Sequence, residues 1–249
     1  MAVTMADITK LRKMTGAGMM DCKNALNEAN GDFDGAMEII RKRGQAIAAK
    51  REDREASEGC VLAATKGDFA AIVALKCETD FVAQNKDFVA LTQSILDAAL
   101  ENKPADIEAL KALTIDGRSI ADLIVDRSGV TGEKMELGFY EFVQAPSTIF
   151  YIHPGNKLAT IVGFNLPEVE YQVARDVAMQ VAAMNPISVS RDEVPADVVA
   201  KELEIAKDKA RQEGKKEEML DKIAQGRINK FFQESTLLEQ AFVKEPKET

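Results

Sequence analysis

Apolar residues near the start of the chain recur at helical spacing. Met5, Ile8 and Leu11 fall at three-residue intervals before the breaker Thr15-Gly16-Ala17-Gly18, and the spacing predicts a first short helix. Met19, Cys22, Leu26 and Ala29 then recur at i, i+3, i+7 and i+10, which predicts a second helix with these residues as its buried stripe. Gly31-Asp32 ends it and offers Asp32 as the cap of a third helix, lined by Phe33, Ala36 and Ile40 and closed by Gly44. A bundle this small has a marginal core. The charged stretch Lys50 to Glu55 reads as a solvated linker or helix extension, so this part is expected to be a small module on a tether.

From Gly59 the period changes to that of strands. Cys60 to Ala64 and Phe69 to Cys77 flank a turn at Lys66-Gly67-Asp68, with Val73, Leu75 and Cys77 on one face, which is a β-hairpin pattern. A helix with Phe88, Leu91, Ile95 and Ala99 on one side follows. Another starts at Ser119, where Ser-Ile-Ala-Asp fits a capping box and Gly129 reads as the stop. Met135 to Val143 resembles a third strand. After Pro146 the theme repeats: strand candidates Thr148 to His153 and Leu158 to Phe164 precede a helix with Val169, Val173, Val177, Val181 and Met184 on one face.

Residues 195–232 carry thinner seams. Val199, Leu203, Ala206 and Ala210, then Leu220, Ala224, Ile228 and Phe231 after the break at Gly214, predict an antiparallel helical hairpin projecting from the body. The end from Ala241 is polar. The pattern gives an α+β fold in three parts: a three-helix module with its linker (1–53), a first core subdomain (54–145), and a second (146–249) that includes the hairpin.

Composition narrows the functional classes. The 32 basic against 41 acidic residues leave a formal charge of −9, which repels polyphosphate backbones, so a protein partner is expected rather than direct nucleic-acid binding. Cys22, Cys60 and Cys77 are an odd set without the spacing of a disulfide framework or zinc site, and they suit a reducing cytoplasm. The start Met1 to Asp7 lacks a basic region followed by a long apolar stretch, and no later run approaches the roughly 20 apolar residues of a membrane span. Neither secretion nor membrane insertion is expected.

Few constellations could carry bond chemistry. The single histidine, His153, sits at a strand end before Pro154 with no nucleophile motif nearby. The Gly-rich segment at Gly16 follows a helix rather than a strand and lacks the lysine of a phosphate loop. The carboxylates show no metal-site spacing, so no metal or other cofactor is expected.

Two positions stand out from this background. Met20, turned about 100° from the buried stripe, lies with Lys23 and Asn27 on the polar side, either covering a neighbouring element or offering a soft partner contact. Phe81 falls in the strand-to-helix segment Glu78 to Asn85. There it either staples the first helical turn or, pointing outward, forms a rigid aromatic anchor, with Asp80 beside it as a cap or partner contact.

At these residues the chain resembles the elongation factor Ts family. Leu11-Arg12 followed by Thr15-Gly16-Ala17-Gly18-Met19-Met20-Asp21-Cys22-Lys23, then Ala25-Leu26 and Gly31-Asp32, is similar to its N-terminal signature. Thr79-Asp80-Phe81-Val82-Ala83 with Phe88 is similar to its second. Further likeness lies in Ala178-Met179-Gln180-Val181-Ala182-Ala183 with Pro186, in Gly226-Arg227 with Lys230-Phe231, and in Phe242-Val243-Lys244-Glu245-Pro246.

The resemblance implies an N-terminal module like ubiquitin-associated domains, and an exchange factor without bond chemistry that releases GDP from elongation factor Tu. The segment Thr79, Asp80, Phe81 and Val82 would disturb the magnesium site of the partner's nucleotide-binding domain, with Phe81 as wedge. Arg12, Met19, Met20 and Lys23 would form the N-terminal contact surface. A homodimer through the helical hairpin is a further expectation. The family pattern continues into a C-terminal module that this sequence, ending at Thr249, is expected to lack. The competing classes are a helical adaptor acting through the N-terminal module, which a buried Phe81 would favour, and an enzyme working with paired carboxylates.

Overall fold

Thr4 and Asp7 open the first helix by a reciprocal cap: Asp7 N donates to Thr4 Oγ1 at 3.2 Å and Thr4 N donates to Asp7 Oδ2 at 3.0 Å. In the computed structural model, which describes residues 3–249, this helix is α1 (Met5–Thr15) and ends at Gly16 in the left-handed conformation, φ 72°. Met1 and Ala2, which the sequence pattern groups with the N-terminal module, lie outside the described residues. Helices α2 (Met19–Glu28) and α3 (Phe33–Ala49) complete the module, α3 capped by the Asp32 carboxylate accepting from Gly35 N at 2.9 Å. Ile8, Leu11, Cys22, Ala25, Leu26 and Ala36 form its small core.

The body of the same unit is a three-stranded antiparallel sheet in the order β1-β2-β5, formed by β1 (Glu58–Lys66), β2 (Phe69–Cys77) and, later in the chain, β5 (Glu136–Gln144). Strand β1 pairs with β2 from Glu58↔Cys77 to Lys66↔Phe69, and β2 pairs with β5 across an irregularity at Ala74/Leu75. Between them run a single turn α4 (Asp80–Ala83), α5 (Lys86–Asn102), α6 (Ile107–Ala112), a two-residue hairpin of β3 (Thr114–Ile115) and β4 (Arg118–Ser119), and α7 (Ile120–Thr131). The alternate residues Phe69, Ala71, Val73, Leu75 and Cys77 of β2 pack against Phe88, Ile95, Leu96 and Ala99 of α5, with Leu110, Ile120 and Ile124 closing the core. The hairpin β6 (Ser147–Ile152) and β7 (Ala159–Phe164) is tied to β1 where Val61 N donates to Asn156 O at 2.7 Å.

Two glycines expected to stop helices do not. Helix α3 continues five residues past Gly44 to Ala49, and α7 passes Gly129 to end at Gly132, φ 74°. Gly44 and Gly129 instead face each other where α3 crosses α7, so closely that a Cβ on Gly129 would lie 2.2 Å from the Gly44 Cα. Nor is the charged linker a loose tether. Arg51 and Arg54 pair with Glu78 at 3.7 and 3.1 Å, and Lys134 Nζ donates to Glu52 O at 2.7 Å.

The chain divides into two compact units, the first reaching Glu168 and the second spanning Val169–Thr249. The β6–β7 hairpin, which the sequence pattern groups with 146–249, lies in the first. In the second unit, α8 (Tyr171–Met184) buries Ala174, Ala178 and Gln180 rather than the expected valine row, with Val173 and Met184 exposed. Gln180 explains the rotation: its Nε2 donates to Ala241 O at 3.1 Å and its Oε1 accepts from Val243 N at 2.8 Å, so the polar tail is fastened to this face. Helices α9 (Ala196–Gln212) and α10 (Glu217–Ser235) form the antiparallel hairpin, Ala206 and Ala210 facing Leu220, Ala224 and Ile228. Lys207–Asp221 at 2.6 Å and Arg227–Glu213 at 2.8 Å bridge its two arms. The fold is α+β.

Candidate functional site

Strand β2 leaves the sheet at Cys77, and the next residues turn sharply into α4. Thr79, extended at φ −123° and ψ 153°, caps this turn by accepting from Val82 N at 3.4 Å. Its other polar groups are all engaged. Thr79 O accepts from Ala83 N at 3.1 Å and from the Cys77 thiol at 3.2 Å. The Glu133 carboxylate, just past the end of α7, accepts from Glu78 N and Thr79 N at 3.1 Å each and from Thr79 Oγ1 at 2.6 Å. Glu78 returns the contact by accepting from Lys134 N at 2.7 Å, and that bond, helped by Arg54, holds its carboxyl below the usual range.

Packing settles which side chain staples the turn. Ala83 is buried and Val82 packs against the core of the sheet, so the staple position is filled by Val82. Phe81 is left outside, 85% exposed, with Asp80 exposed beside it. An aromatic ring in water on a turn fixed at both ends is unusual, because rings of this size normally bury 150–250 Å².

On the N-terminal module, Arg12, Met20 and Lys23 are exposed, with Met20 at 64%. Met19, expected in the buried stripe, is also exposed, because Ala25 takes the place beside Cys22 and Leu26. Met19 and Met20 therefore lie one turn before Lys23 on an exposed helix face. Arg127 of α7 connects the two regions. Its guanidinium lies beside Gly16, in the loop leading to Met19, and 3.5 Å from Asp87 in the first turn of α5, just beyond the Phe81 turn.

All three cysteines are buried, and burial, followed by the charge of Glu133, pushes the Cys77 thiol up to about 12, so it stays protonated. His153 Nδ1 lies 2.9 Å from the Tyr151 hydroxyl at an exposed strand end. Among the described residues no group of three or more His, Cys, Asp or Glu side chains is placed to hold a metal, and no helix is long and apolar enough to cross a membrane.

Sequence reasoning named Thr79 to Val82 and the Arg12, Met19, Met20 and Lys23 set but missed Glu133. It sits 54 residues from Thr79 in sequence, where periodicity carries no signal. The nearest local sign is the Gly132 helix stop that aims it.

The family model described as elongation factor TS matches residues 78–249, beginning at the Phe81 turn. An elongation factor Ts of Porphyromonas gingivalis is 63% identical over 250 residues, covering 100% of this chain and 91% of the relative. One from Azobacteroides pseudotrichonymphae is 61% identical over 249 residues, covering 100% and 91%. The elongation factor Ts of Bacteroides thetaiotaomicron is 62% identical over 214 residues, which is 86% of this chain and 64% of the relative. The chain belongs to the elongation factor Ts family, and its role lies in the elongation phase of protein biosynthesis.

Proposed function

We propose that the chain is a guanine nucleotide exchange factor for elongation factor Tu, and that Phe81 is the wedge that loosens GDP. The observation carrying this is an aromatic ring 85% exposed on a turn whose leading residue, Thr79, is hydrogen-bonded through its N–H, its hydroxyl and its carbonyl. A pre-ordered anchor loses little freedom on docking, so its contact energy remains available to distort the partner. Asp80 and Thr79 supply the turn's polar rim, and Val82 roots it in the core.

Magnesium makes the partner's site vulnerable to a small push. It demands near-octahedral oxygen ligands at about 2.0–2.1 Å, so displacing the element that carries those ligands weakens it sharply. Without the ion the phosphate charges of GDP repel one another. Linkage then makes the effect reciprocal: if the factor weakens GDP roughly a thousandfold, about 4 kcal/mol, GDP weakens the factor equally. Incoming GTP displaces the factor, which is free to act again.

The exposed Met19, Met20, Arg12 and Lys23 face is assigned to affinity and orientation rather than to the push. Met20→Ala and Lys23→Ala are each expected to raise the concentration of factor giving half-maximal GDP release about fivefold, a loss of about 1 kcal/mol. The maximal rate should stay within about twofold. Release of fluorescent GDP from elongation factor Tu, titrated with each variant, checks this. Unchanged half-saturation for both variants would remove this face from the interface, and a release rate independent of factor concentration would overturn the exchange function itself.

A further inference from the structure

We propose that Glu133 is a positioning residue that holds the Phe81 wedge at its working angle. This rests on the exchange function above and names the part of the chain that aims the wedge. Helix α4 is a single turn of four residues, too short to fix its own direction, because nucleating a helical turn is unfavourable. Phe81, in water, has no packing of its own to orient it. Val82 and Ala83 root the far side of the turn in the core, and the residues leading into it are aimed from outside.

Glu133 is equipped to aim them. A carboxylate only accepts hydrogen bonds, and the three donors converging on this one, Glu78 N, Thr79 N and Thr79 Oγ1, lie immediately before Asp80 and Phe81. Bonds to a charged acceptor are about twice as strong as neutral ones. The residue is itself fixed. Ser128 Oγ donates to Glu133 O at 2.5 Å, and Glu133 N donates to Thr131 Oγ1 at 3.3 Å, both partners lying in the last turn of α7. That helix is anchored in the sheet core through Ile120 and Ile124, so a rigid element runs from the core to the base of the wedge.

Removing the carboxylate should leave the wedge present but poorly aimed. A displacement of about 1 Å at a working group can cost up to roughly a hundredfold in rate. Glu133→Ala is therefore expected to lower the maximal rate of fluorescent GDP release from elongation factor Tu about tenfold. Half-saturation should remain within about twofold of the unchanged chain. Glu133→Gln should recover most of the rate, because its amide oxygen accepts from both N–H groups while its NH2 donates to Thr79 Oγ1.

The deciding arm is the double variant. If Glu133 acts through Phe81, Glu133→Ala slows release no further in a Phe81→Ala background. If the two losses multiply, Glu133 is merely structural and the proposal is overturned. A normal rate for Glu133→Ala alongside a slow Phe81→Ala overturns the proposal alone, whereas a normal rate for Phe81→Ala overturns the wedge as well. Should Glu133→Ala fail to fold, Glu133→Asp, whose shorter side chain draws the carboxylate back from all three donors, carries the same comparison.

Discussion

Phe81→Ala is expected to slow maximal GDP release from elongation factor Tu about thirtyfold while leaving the folded chain as stable as before. The size follows from the type of contact: a rigid aromatic anchor at an interface is worth about 2 kcal/mol or more when truncated, and 2 kcal/mol is about thirtyfold. The intact stability follows from the 85% exposure of the ring, since surface substitutions away from packing usually shift stability by about 0.5 kcal/mol or less. Val82 and Ala83, which root the turn, are untouched. Stopped-flow release of fluorescent GDP, alongside a thermal melt, separates the two effects. A large fall in melting temperature would mean that Phe81 packs the turn rather than working beyond it.

Gly129→Ala is the second large effect, and its sign is informative. In an open helix interior this change would stabilise the chain by about 1 kcal/mol. Here the new Cβ would stand 2.2 Å from the Gly44 Cα, which is backbone and cannot swing away. Separating α3 from α7 costs about 1–3 kcal/mol by the usual scale of overpacking. Because the obstacle is backbone the cost falls at the top of that range, about 3 kcal/mol, and less the helix gain of about 1 kcal/mol this leaves a net loss of about 2 kcal/mol, a fall of roughly 4–8 °C in melting temperature for a unit of this size. Gly44→Ala, whose Cβ would sit at 3.4 Å from the Gly129 Cα, is expected to be nearly neutral. A higher melting temperature for Gly129→Ala would show that the two helices do not cross this closely.

The same pair of glycines marks where sequence reasoning reached its limit. Helical spacing in Ile8 and Leu11, the alternation along Phe69 to Cys77, and the alanine seams of the hairpin were legible because each is written locally, at a period of 3.6 or 2. Gly44 and Gly129 are written locally as stops, and only the approach of a second helix turns them into a crossing. Met19 was misplaced by a similar route, since Ala25 fills the stripe as well as Met19 would and leaves the longer side chain outside.

For the candidate site, the segment Thr79 to Val82 was legible and its orientation was not. Phe81 and Val82 are adjacent and both apolar, so either could staple the turn, and the choice depends on which one the sheet core receives. Glu133 was invisible for a different reason: its bonds run to residues over 50 positions away, and one glutamate among many carries no pattern. The alternative of a helical adaptor, which a buried Phe81 would have favoured, loses its main support from the exposed ring.

The most direct test of the exchange mechanism uses the unchanged chain in substoichiometric amount against elongation factor Tu loaded with fluorescent GDP, in the presence of excess unlabelled GTP. The expected result is release of all the labelled GDP in one accelerated phase whose rate rises in proportion to the chain added, because each molecule acts many times. Release at the unstimulated rate, or an accelerated fraction no larger than the amount of chain present, would contradict it.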